Sequence, residues 1–514
     1  MSGTPEIDSV ADMARVWGSL TPDKVALIDA HGAVTYGELD DRSNRIANAI
    51  IDVGVRPGSH IGYLGKNSAA FFAIWMGINK AGCALCPLNW RSPALELAAL
   101  VGDAGLPMIF VGAGFTGLAA DVQRAVTVSV DLVEEEALSD WLVDADSVDP
   151  GYPVDGDRTA LLTYTSGTTG KPKGVQISHN AFANWFRISA SEPAQRWSAE
   201  DVGLMTMPNF HLAGTWVTLP ALYHGATLAI LAAFDPDDFV RAVDAHCPTV
   251  ACLVPTAIQL LLDHASSESC DFSSLRRLYY AGSPIGVDTL RRAIAAFGCD
   301  LVQFYGTTET YIITLLRPEQ HDPDHPHLLT SCGQPMPMVE LRVVSPDGRD
   351  VVTGDAGEVL VRSPWMFTGY WNNPEATAAA VVDGWYHTGD GGTRDQDGNL
   401  YLVDRLKDMI VTGGENVYSA EVERALAAHP AVGSVAVVGA PDEKWGERVV
   451  AFVVQRPETS VAAADLVSHC RRQIAGYKVP KEIHFVPELP MTASGKVQKA
   501  GLRQQLLKAA GPTG

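Results

Sequence analysis

The chain has 514 residues, of which 46% are hydrophobic, and a formal net charge of -22. A chain of this length can bury more than one hydrophobic core, so we expect at least two domains. The large excess of acidic residues excludes a general nucleic-acid binder, which needs a basic surface. Any polyanionic ligand therefore needs a local positive site within a repelling surface.

The first part of the chain alternates helical and strand-like patterns, which predicts a layered α/β fold. Residues 35–54 have apolar side chains at helical spacing, residues 60–65 indicate a strand, and residues 69–88 indicate a core helix followed by a strand. Cys83 and Cys86 lie in this apolar segment without a second pair or a nearby histidine, so we expect buried thiols and not a zinc site. No signal peptide and no transmembrane segment is expected, and a reducing, cytoplasmic location fits best.

The apolar run 160–164 predicts a buried strand that leads directly into the glycine-rich sequence TSGTTGKPKG. Glycines allow close backbone approach, and N–H, hydroxyl and ammonium groups together suit a phosphate. The P-loop pattern is not met, because Thr165 replaces its first glycine and Pro172 its Ser/Thr. A flexible linker is the alternative, but a strand entering a glycine-rich turn is a common ligand site in α/β sheets. The candidate phosphate ligands are Thr165, Ser166, Gly167, Thr168, Thr169, Gly170 and Lys173.

Two later segments contain side chains that could take part in ligand binding or catalysis, but each also has an ordinary structural interpretation. PNFHLAG (208–214) places His211 in an apolar loop, where a structural histidine is the usual case. QFYGTTET (303–310) combines Tyr305, which could stack on a purine, with threonines that could reach phosphate and Glu309, which could hold Mg²⁺. Taken alone, this second segment is a strand entering a turn.

After residue 330 the pattern changes to short antiparallel strands, at 339–351 and 357–363. We place a domain boundary near the middle of residues 395–414. The remainder predicts a small α+β domain with helices at 420–428 and 462–475, strands at 433–439, 449–455 and 482–486, and a short final helix.

Three residues in the segment after residue 330 are candidates for binding a nucleotide or taking part in its chemistry. Asp390 ends YHTGD, and an acceptor-only carboxylate suits a sugar diol. Arg405 in DRLKD has a planar fork that suits ribose or phosphate, and Lys496 lies in the loop sequence TASGKVQK. Considered alone, Asp390 is more simply part of a turn, Arg405 part of a charge cluster, and Lys496 a solvated lysine. Only the presence of all these segments together, in this order along the chain, favours a function.

Together, YTSGTTGKPKG, YGTTET, YHTGD, DRLKDMIVTGGENVYSAEVE and TASGKVQK resemble the motifs of the adenylate-forming superfamily of acyl-CoA synthetases, adenylation domains and firefly luciferase. The resemblance extends from about residue 20 to 508. It implies a large N-terminal domain of layered β-sheets and helices (1–404) and a small, mobile α+β C-terminal domain (405–514) that rotates about a hinge at Lys407. It also implies two reactions: ATP converts a carboxylate to acyl-AMP with release of pyrophosphate, and the CoA thiol then displaces AMP.

The resemblance further implies roles for single residues. The glycine-rich loop would hold the β- and γ-phosphates, Glu309 would carry Mg²⁺, Thr308 would contact the α-phosphate, and Tyr305 would stack on adenine. Lys496 would bridge the substrate carboxylate and the α-phosphate, with His211 beside the carboxylate. The implied catalytic set is Lys496, His211, Thr308 and Glu309, and the other implied ATP- and CoA-binding residues are Gln303, Tyr305, Gly306, Thr307, Asp390, Arg405, Gly413 and Gly414. Ser419 stands where relatives usually carry proline, and we expect it to cap the helix that follows.

The implied function is an ATP-dependent acid–CoA ligase that requires ATP, Mg²⁺ and CoA. Residues 209–216, 279–286 and 303–307 are largely apolar, which favours a medium- or long-chain fatty acid. An aryl or alicyclic acid, a carrier protein as acceptor, and an inactive ligand-binding homologue are the alternatives. Expected partners are small molecules, with no nucleic acid. The sequence is also compatible with peripheral membrane contact and with a homodimer.

Overall fold

The computed structural model describes residues 6–165, 172–405, 408–412, 415–442, 444–457, 459–491 and 497–509. The chain forms two compact units: Met1–Glu340 with Val361–Tyr386, and Leu341–Leu360 with His387–Gly514. The α/β class is confirmed. The boundary between residues 404 and 405 stays a prediction, because it concerns which segments rotate about Lys407, a residue outside the described ranges.

Helices and strands alternate as the sequence predicts. The helices are α1 (Val10–Leu20), α2 (Tyr36–Asp52), α3 (Ala69–Lys80), α4 (Ala94–Ala104), α5 (Thr116–Ala125), α6 (Leu138–Trp141), α7 (His179–Ser191), α8 (Thr215–Tyr223), α9 (Pro236–His246), α10 (Pro255–Leu262), α11 (Val287–Phe297), α12 (Pro374–Ala380), α13 (Ser419–Ala427), α14 (Ala463–Arg471) and α15 (Lys499–Ala509). The strands are β1 (Val25–Asp29), β2 (Gly32–Thr35), β3 (His60–Leu64), β4 (Ala84–Pro87), β5 (Met108–Val111), β6 (Asp131–Glu134), β7 (Thr159–Thr165), β8 (Lys173–Ser178), β9 (Val202–Met205), β10 (Thr227–Ile230), β11 (Val250–Leu253), β12 (Arg277–Ala281), β13 (Asp300–Thr307), β14 (Tyr311–Leu316), β15 (Gln334–Pro335), β16 (Glu340–Val344), β17 (Gly357–Arg362), β18 (Gly369–Tyr370), β19 (Val381–Val382), β20 (Trp385–Arg394), β21 (Leu400–Arg405), β22 (Ile410–Thr412), β23 (Glu415–Val417), β24 (Val432–Asp442), β25 (Gly446–Gln455) and β26 (Glu482–Phe485).

A nine-stranded sheet in the first unit has the order β15-β14-β13-β12-β11-β9-β10-β1-β2. Strands β13, β12, β11, β9, β10 and β1 run parallel, and β2, β14 and β15 each pair antiparallel with the preceding strand of the chain. Parallel strands bring their carboxyl ends to one edge, where open α/β sheets bind ligands. The loops after β9, β12 and β13, which begin at residues 206, 282 and 308, therefore share that edge.

A second sheet of the same unit has seven strands in the order β18-β8-β7-β4-β3-β5-β6. Its strands β7, β4, β3, β5 and β6 are parallel, so Thr165, at the end of β7, lies at the carboxyl edge. One hydrophobic core contains residues of both sheets and of helices α1, α2, α3, α7 and α8. The predicted layers of sheets and helices are confirmed. Cys83, in this core, and Cys86, in a separate core, are buried and unbridged, as expected.

The second unit contains the small α+β fold that the sequence predicts. Its sheet has the order β23-β22-β25-β24, with β26 parallel to β25. Alternate residues of β25 enter two cores: Val449 and Ala451 pack with α13 and α14, whereas Val450 and Phe452 pack with α15. Strands β16, β17, β20 and β21 form a further sheet, in which β17 lies between β16 and β20 and β21 pairs with β20.

Two further expectations have clear outcomes. Ser419 is not the N-cap of α13: Tyr418 takes that position, and the buried Ser419 hydroxyl accepts a hydrogen bond from Lys499 Nζ at 2.5 Å. The expectation was wrong because a tertiary contact uses the hydroxyl that a cap would need. No described helix has the length and apolar character needed to cross a bilayer.

Candidate active site

The glycine-rich segment connects two antiparallel strands. Thr165 at the end of β7 is paired with Lys173 at the start of β8. Residues 166–171, between them, lie outside the described ranges. The pairing fixes the two ends of the predicted phosphate loop at one strand edge.

Glu309 lies in the tight turn between β13 and β14. Gly306 is required there, because a Cβ atom would lie 1.6 Å from the carbonyl oxygen of Tyr311. Tyr311 has a φ of 57°, which is in the left-handed region. The backbone N–H of Thr307 donates to Oγ1 of Thr310 at 3.1 Å and closes the turn. Backbone geometry therefore holds Glu309 in place.

The Glu309 carboxylate is connected to the glycine-rich hairpin through Tyr370. Oη of Tyr370 donates to Oε1 of Glu309 at 2.8 Å, and Nζ of Lys173 lies 4.6 Å from the centre of the Tyr370 ring, within cation–π range. Glu309 and Tyr370 are only 9% and 6% exposed. This hydrogen bond to Oε1 uses only one of the acceptor positions of the carboxylate.

Two aromatic side chains complete the surroundings of Glu309. The backbone N–H of Phe367 donates to the carbonyl oxygen of Glu309 at 2.7 Å, and the Phe367 ring contacts Tyr370 and Tyr386. Burial, and then the Glu309 charge, raise the pKa of both tyrosines. Both phenols therefore stay protonated, and that of Tyr370 donates its hydrogen bond to the carboxylate.

Two buried asparagines connect the sheet edges near His211. The backbone N–H of Asn209 donates to Oδ1 of Asn67 at 2.9 Å, and Nδ2 of Asn209 donates to the carbonyl oxygen of Gly65 at 3.1 Å. Nδ2 of Asn67 donates to the carbonyl oxygen of Met207 at 3.0 Å. The loop after β3 of the seven-stranded sheet is thereby joined to the loop after β9 of the nine-stranded sheet.

The loop that carries His211 is tightly wound ahead of α8. The N–H of His211 donates to the carbonyl oxygen of Pro208, and the N–H of Gly214 donates to that of His211. A Cβ atom on Gly214 would lie 2.5 Å from the carbonyl oxygen of Pro208. Oγ1 of Thr163, on β7, donates to the carbonyl oxygen of Phe210 at 3.5 Å. These contacts hold His211 near the strand that leads into the glycine-rich loop.

A small positive group lies beside this loop. The Arg91 guanidinium is 4.7 Å from the ring centre of Trp90 and 5.8 Å from that of Phe210, and Lys66 Nζ is 5.5 Å from the Trp90 ring. In a chain with net charge -22, such a group can attract an anion locally.

The second unit holds the predicted ribose ligands. Asp390 is 6% exposed and lies opposite Arg405 in the antiparallel pair β20–β21. The N–H of Asp390 donates to Oγ1 of Thr388 at 3.0 Å, and Thr388 in turn donates to the carbonyl oxygen of Val359. The carboxylate is thus carried by a fixed strand segment with Arg405 at the neighbouring strand position.

The structure brings some of the predicted residues together. In the first unit, Lys173 and Glu309 both contact Tyr370, and Thr165 is the strand partner of Lys173. Gln303, Tyr305, Gly306 and Thr307 lie on strand β13, and Thr308 follows that strand directly. Ser166, Gly167, Thr168, Thr169, Gly170, Lys407, Gly413, Gly414 and Lys496 lie outside the described residues.

Sequence reasoning missed Tyr370, Tyr386, Asn67 and Asn209. Tyr370 lies 61 residues from Glu309 in the chain, and no local pattern links the two. The only available signal was the clustering of aromatic residues in MFTGYW.

The Glu309 surroundings fit Mg²⁺ carried on a nucleotide. Among the described residues, no group of three or more potential ligands could hold a metal ion by itself. Mg²⁺ usually binds one or two carboxylates together with water and substrate phosphates, so a single buried glutamate is sufficient.

Known proteins resemble this chain over nearly its whole length. The AMP-binding enzyme family matches residues 15–371, and the AMP-binding enzyme C-terminal domain matches residues 421–496. The fatty acid–[acyl-carrier-protein] ligase ScoC of Streptomyces coeruleorubidus is 35% identical over 98% of this chain and 97% of its own. An indoleacetate–CoA ligase of Aromatoleum aromaticum is 38% identical (94% and 96% covered), and a feruloyl-CoA synthase of an Amycolatopsis species is 36% identical (95% and 96%). ATP-bound MatB from Rhodopseudomonas palustris superposes with a TM-score of 0.88 at 29% identity, covering 97% of this chain and 99% of its own.

Proposed function

Because this chain belongs to the AMP-binding enzyme family of adenylate-forming ligases, we propose that it joins an apolar carboxylic acid to the thiol of CoA. The enzyme uses ATP and CoA. In the first reaction, the acid oxygen attacks the α-phosphorus of ATP and pyrophosphate leaves. In the second, the CoA sulfur attacks the acyl carbon and AMP leaves.

The chain of contacts from Glu309 through Tyr370 to Lys173 carries this proposal. A buried carboxylate beside a phosphate-binding loop would repel ATP unless a cation lay between them. Bound Mg²⁺ would neutralise phosphate charge at that position. Lys173 adds a positive charge from the loop itself. A carboxylate that would hold Mg²⁺ together with the Lys173 ammonium suits the stabilisation of a leaving pyrophosphate. A flexible linker would not require these groups.

We assign the remaining nucleotide contacts from the positions of the residues. Asp390 is a buried acceptor and suits the ribose hydroxyls, with Arg405 at the neighbouring strand position. Tyr305 and Gln303, both nearly buried on β13, suit the adenine base. Thr308 follows β13 directly and suits the α-phosphate.

We propose that Lys496 supplies the positive charge shared by the acid carboxylate and the α-phosphate. Two anions meet in the first reaction, so a positioned ammonium lowers the barrier by offsetting their repulsion. We further propose that rotation about Lys407 then withdraws Lys496 and presents Gly413 and Gly414 to the pantetheine arm of CoA.

Substitution of Lys496 tests the proposal directly. We expect Lys496→Ala to reduce acid-dependent pyrophosphate release by at least about a hundredfold while leaving thioester formation from supplied acyl-AMP nearly unchanged. Arg471→Ala, which removes an exposed cation of the same unit, is the control and should leave both rates unchanged. Equal loss of both reactions would refute the role of Lys496. Absence of AMP formation with every acid in a broad panel would refute the ligase and favour an inactive homologue.

We propose medium- or long-chain fatty acids as the first substrate class, since residues 209–216, 279–286 and 303–307 are largely apolar. Aryl acids are the second class, because two relatives named for indoleacetate and feruloyl substrates match nearly the whole chain. Hydroxylamine trapping of the adenylate with acids graded in length and ring content would separate the two. Preference for every aryl acid over every fatty acid would reverse the order.

We propose free CoA as the acceptor over a carrier protein. CoA carries several phosphates, and the group formed by Lys66, Trp90 and Arg91 offers two cations and an aromatic face in an otherwise acidic chain. Competition between CoA and a phosphopantetheinylated carrier for supplied acyl-AMP tests this choice. Faster transfer to the carrier would contradict it.

We also propose a cytoplasmic location. A homodimer would be tested by size-exclusion chromatography.

A further inference from the structure

Tyr311 joins two segments of the first unit that are expected to hold different substrates. Its phenol is hydrogen-bonded to Oγ1 of Thr215, the first residue of α8. Thr308, proposed for the α-phosphate, lies three residues before Tyr311, and His211, expected beside the acid carboxylate, lies four residues before Thr215. The hydrogen bond therefore connects the segment proposed for the nucleotide to the segment expected to hold the acid.

The donors that are present set the direction of this hydrogen bond. Oγ1 of Thr215 donates its single hydrogen to the carbonyl oxygen of Leu212 at 2.6 Å. The Tyr311 phenol is therefore the donor to Thr215, and it stays protonated because burial raises the pKa of Tyr311. Two consecutive hydrogen bonds thus lead from the phenol, through the threonine hydroxyl, to the backbone of the His211 loop.

The backbone and the ring of Tyr311 are both tightly constrained. Its φ of 57° lies in the left-handed region, which is uncommon for a residue with a large side chain. Tyr311 and Thr215 are 4% and 3% exposed, and the Tyr311 ring centre lies 4.5 Å from that of Trp185 on α7. Such a backbone conformation costs about 1–3 kcal/mol and persists only where the surrounding structure enforces it. The position of the phenol is therefore set by the fold.

Sheet hydrogen bonds do not join the two segments directly. Strand β9, which leads to the His211 loop, and strand β13, which leads to the Glu309 turn, are separated by β11 and β12 in the nine-stranded sheet. Three strand spacings correspond to about 14 Å. The contact between Tyr311 and Thr215 is a shorter path between the two segments, and it constrains their separation directly.

We infer that Tyr311 is a positioning residue for the adenylation reaction, because it holds the His211 loop at a fixed distance from the Glu309 turn. This inference rests on the proposed ligase function. In the first reaction two separate substrates must meet, so the relative position of the segments that hold them affects the rate. In the second reaction the acyl and nucleotide parts are already joined in acyl-AMP, and a covalent bond sets their relative position. The two reactions should therefore differ in their need for Tyr311.

Tyr311→Phe tests the inference, because it removes the hydroxyl and keeps the ring. The acid is the one that the wild type adenylates fastest in a panel that contains dodecanoate and indoleacetate. We expect the single-turnover rate of pyrophosphate release to fall at least about tenfold, while the half-saturating ATP concentration changes by less than about twofold. Thioester formation from the matching acyl-AMP and CoA should also stay within about twofold. A residue with only a structural role would impair both reactions alike.

Variants of Thr215 separate the hydrogen bond from the packing. Thr215→Val keeps the shape of the side chain but removes its hydroxyl, and should slow pyrophosphate release by a factor similar to that of Tyr311→Phe. The two substitutions together should be no slower than either alone, within about twofold, because they break the same connection. Thr215→Ser keeps the hydroxyl and should retain most of the wild-type rate. Effects that multiply in the double variant would show that the two side chains act separately and would overturn the inference.

Tyr36→Phe is the matched control, since this buried tyrosine lies in the same core and donates its hydroxyl hydrogen to the carbonyl oxygen of Ala226 at 2.6 Å. It should leave both rates within about twofold. Urea unfolding checks the folding of each variant, and Thr215→Val supplies the same test if Tyr311→Phe does not fold. Equal loss of both reactions, or an unchanged rate of pyrophosphate release, would overturn the inference and leave the ligase function standing. If the wild type adenylates no acid of the panel, the ligase function fails and the inference fails with it.

Discussion

The turn around Glu309 and the surroundings of helix α15 are held in different ways. Glu309 is buried, and backbone hydrogen bonds, a neutral phenol and aromatic packing fix its position. Helix α15 packs Leu502 and Leu506 into a core, and its partly exposed side is held by ion pairs: Lys499 to Glu423 at 2.8 Å and Arg503 to Asp408 at 2.9 Å. These four side chains are 14–28% exposed and so lie nearer to water.

The difference shows which parts of the site need fixed geometry. A group that stabilises developing phosphate charge is effective when its position is set before the reaction, and buried neutral contacts provide this. Partly exposed ion pairs contribute less and weaken with salt, so they suit a segment that exchanges contacts. We therefore expect substitutions at the turn to have large effects and substitutions around α15 to have small, salt-dependent ones.

The largest effect is expected for Gly306→Ala. The added Cβ atom would lie 1.6 Å from the Tyr311 carbonyl oxygen, so the β13–β14 turn must open. We expect a loss of more than about 3 kcal/mol in stability and loss of adenylation, measured by urea unfolding and pyrophosphate release. The control is Gly102→Ala on the exposed face of α4, where a Cβ atom meets nothing within 4 Å and should stabilise by about 0.5–1 kcal/mol. Similar unfolding midpoints for both variants would show that the turn is not rigid.

The next largest effect is expected for Glu309→Gln. Glutamine keeps an oxygen that can accept the Tyr370 hydrogen bond but removes the charge that would hold Mg²⁺. We expect the adenylation rate to fall by about a hundredfold or more, with partial recovery at high Mg²⁺ concentration. Glu340→Gln removes a carboxylate from the surface pair with Arg362 and should have no effect. A Glu309→Gln enzyme with normal Mg²⁺ dependence would exclude the metal role.

Tyr370→Phe should have a smaller effect than the loss of the Glu309 charge. The phenyl ring can still lie beneath Lys173, and only the hydrogen bond to Oε1 of Glu309 is removed. We expect about a tenfold rise in KM for ATP, as is typical for one hydrogen bond to a charged group. Tyr401→Phe, which removes a hydrogen bond to Asp395 in the second unit, is the control. A loss as large as that of Glu309→Gln would mean that Tyr370 itself contacts the reacting groups.

These expectations also show what the sequence could reveal. Local patterns predicted β7, β13 and the α+β fold of the second unit, because hydrophobic period and turn residues are local properties. Glu309 could be predicted as a site residue because its motif is contiguous in the chain. Tyr370 and the paired asparagines Asn67 and Asn209 were missed, because their partners are 61 and 142 residues away in the chain. Ser419 was misassigned for the same reason, since its partner Lys499 is 80 residues distant.

The smallest effect is expected for the ion pair between Asp408 and Arg503. Asp408 directly follows the proposed hinge residue, and Arg503 lies in the helix that begins three residues after Lys496. Arg503→Met should lower the adenylation rate by only about threefold, because a partly exposed pair contributes at most about 1 kcal/mol. The wild-type rate should approach that of the variant as KCl is raised from about 0.05 to 0.5 M, since salt screens the pair. The exchange Asp408→Arg with Arg503→Asp should restore most of the rate. Equal salt dependence in wild type and Arg503→Met would show that the pair does not position the segment, and the contrast between the two regions would then lie in burial alone.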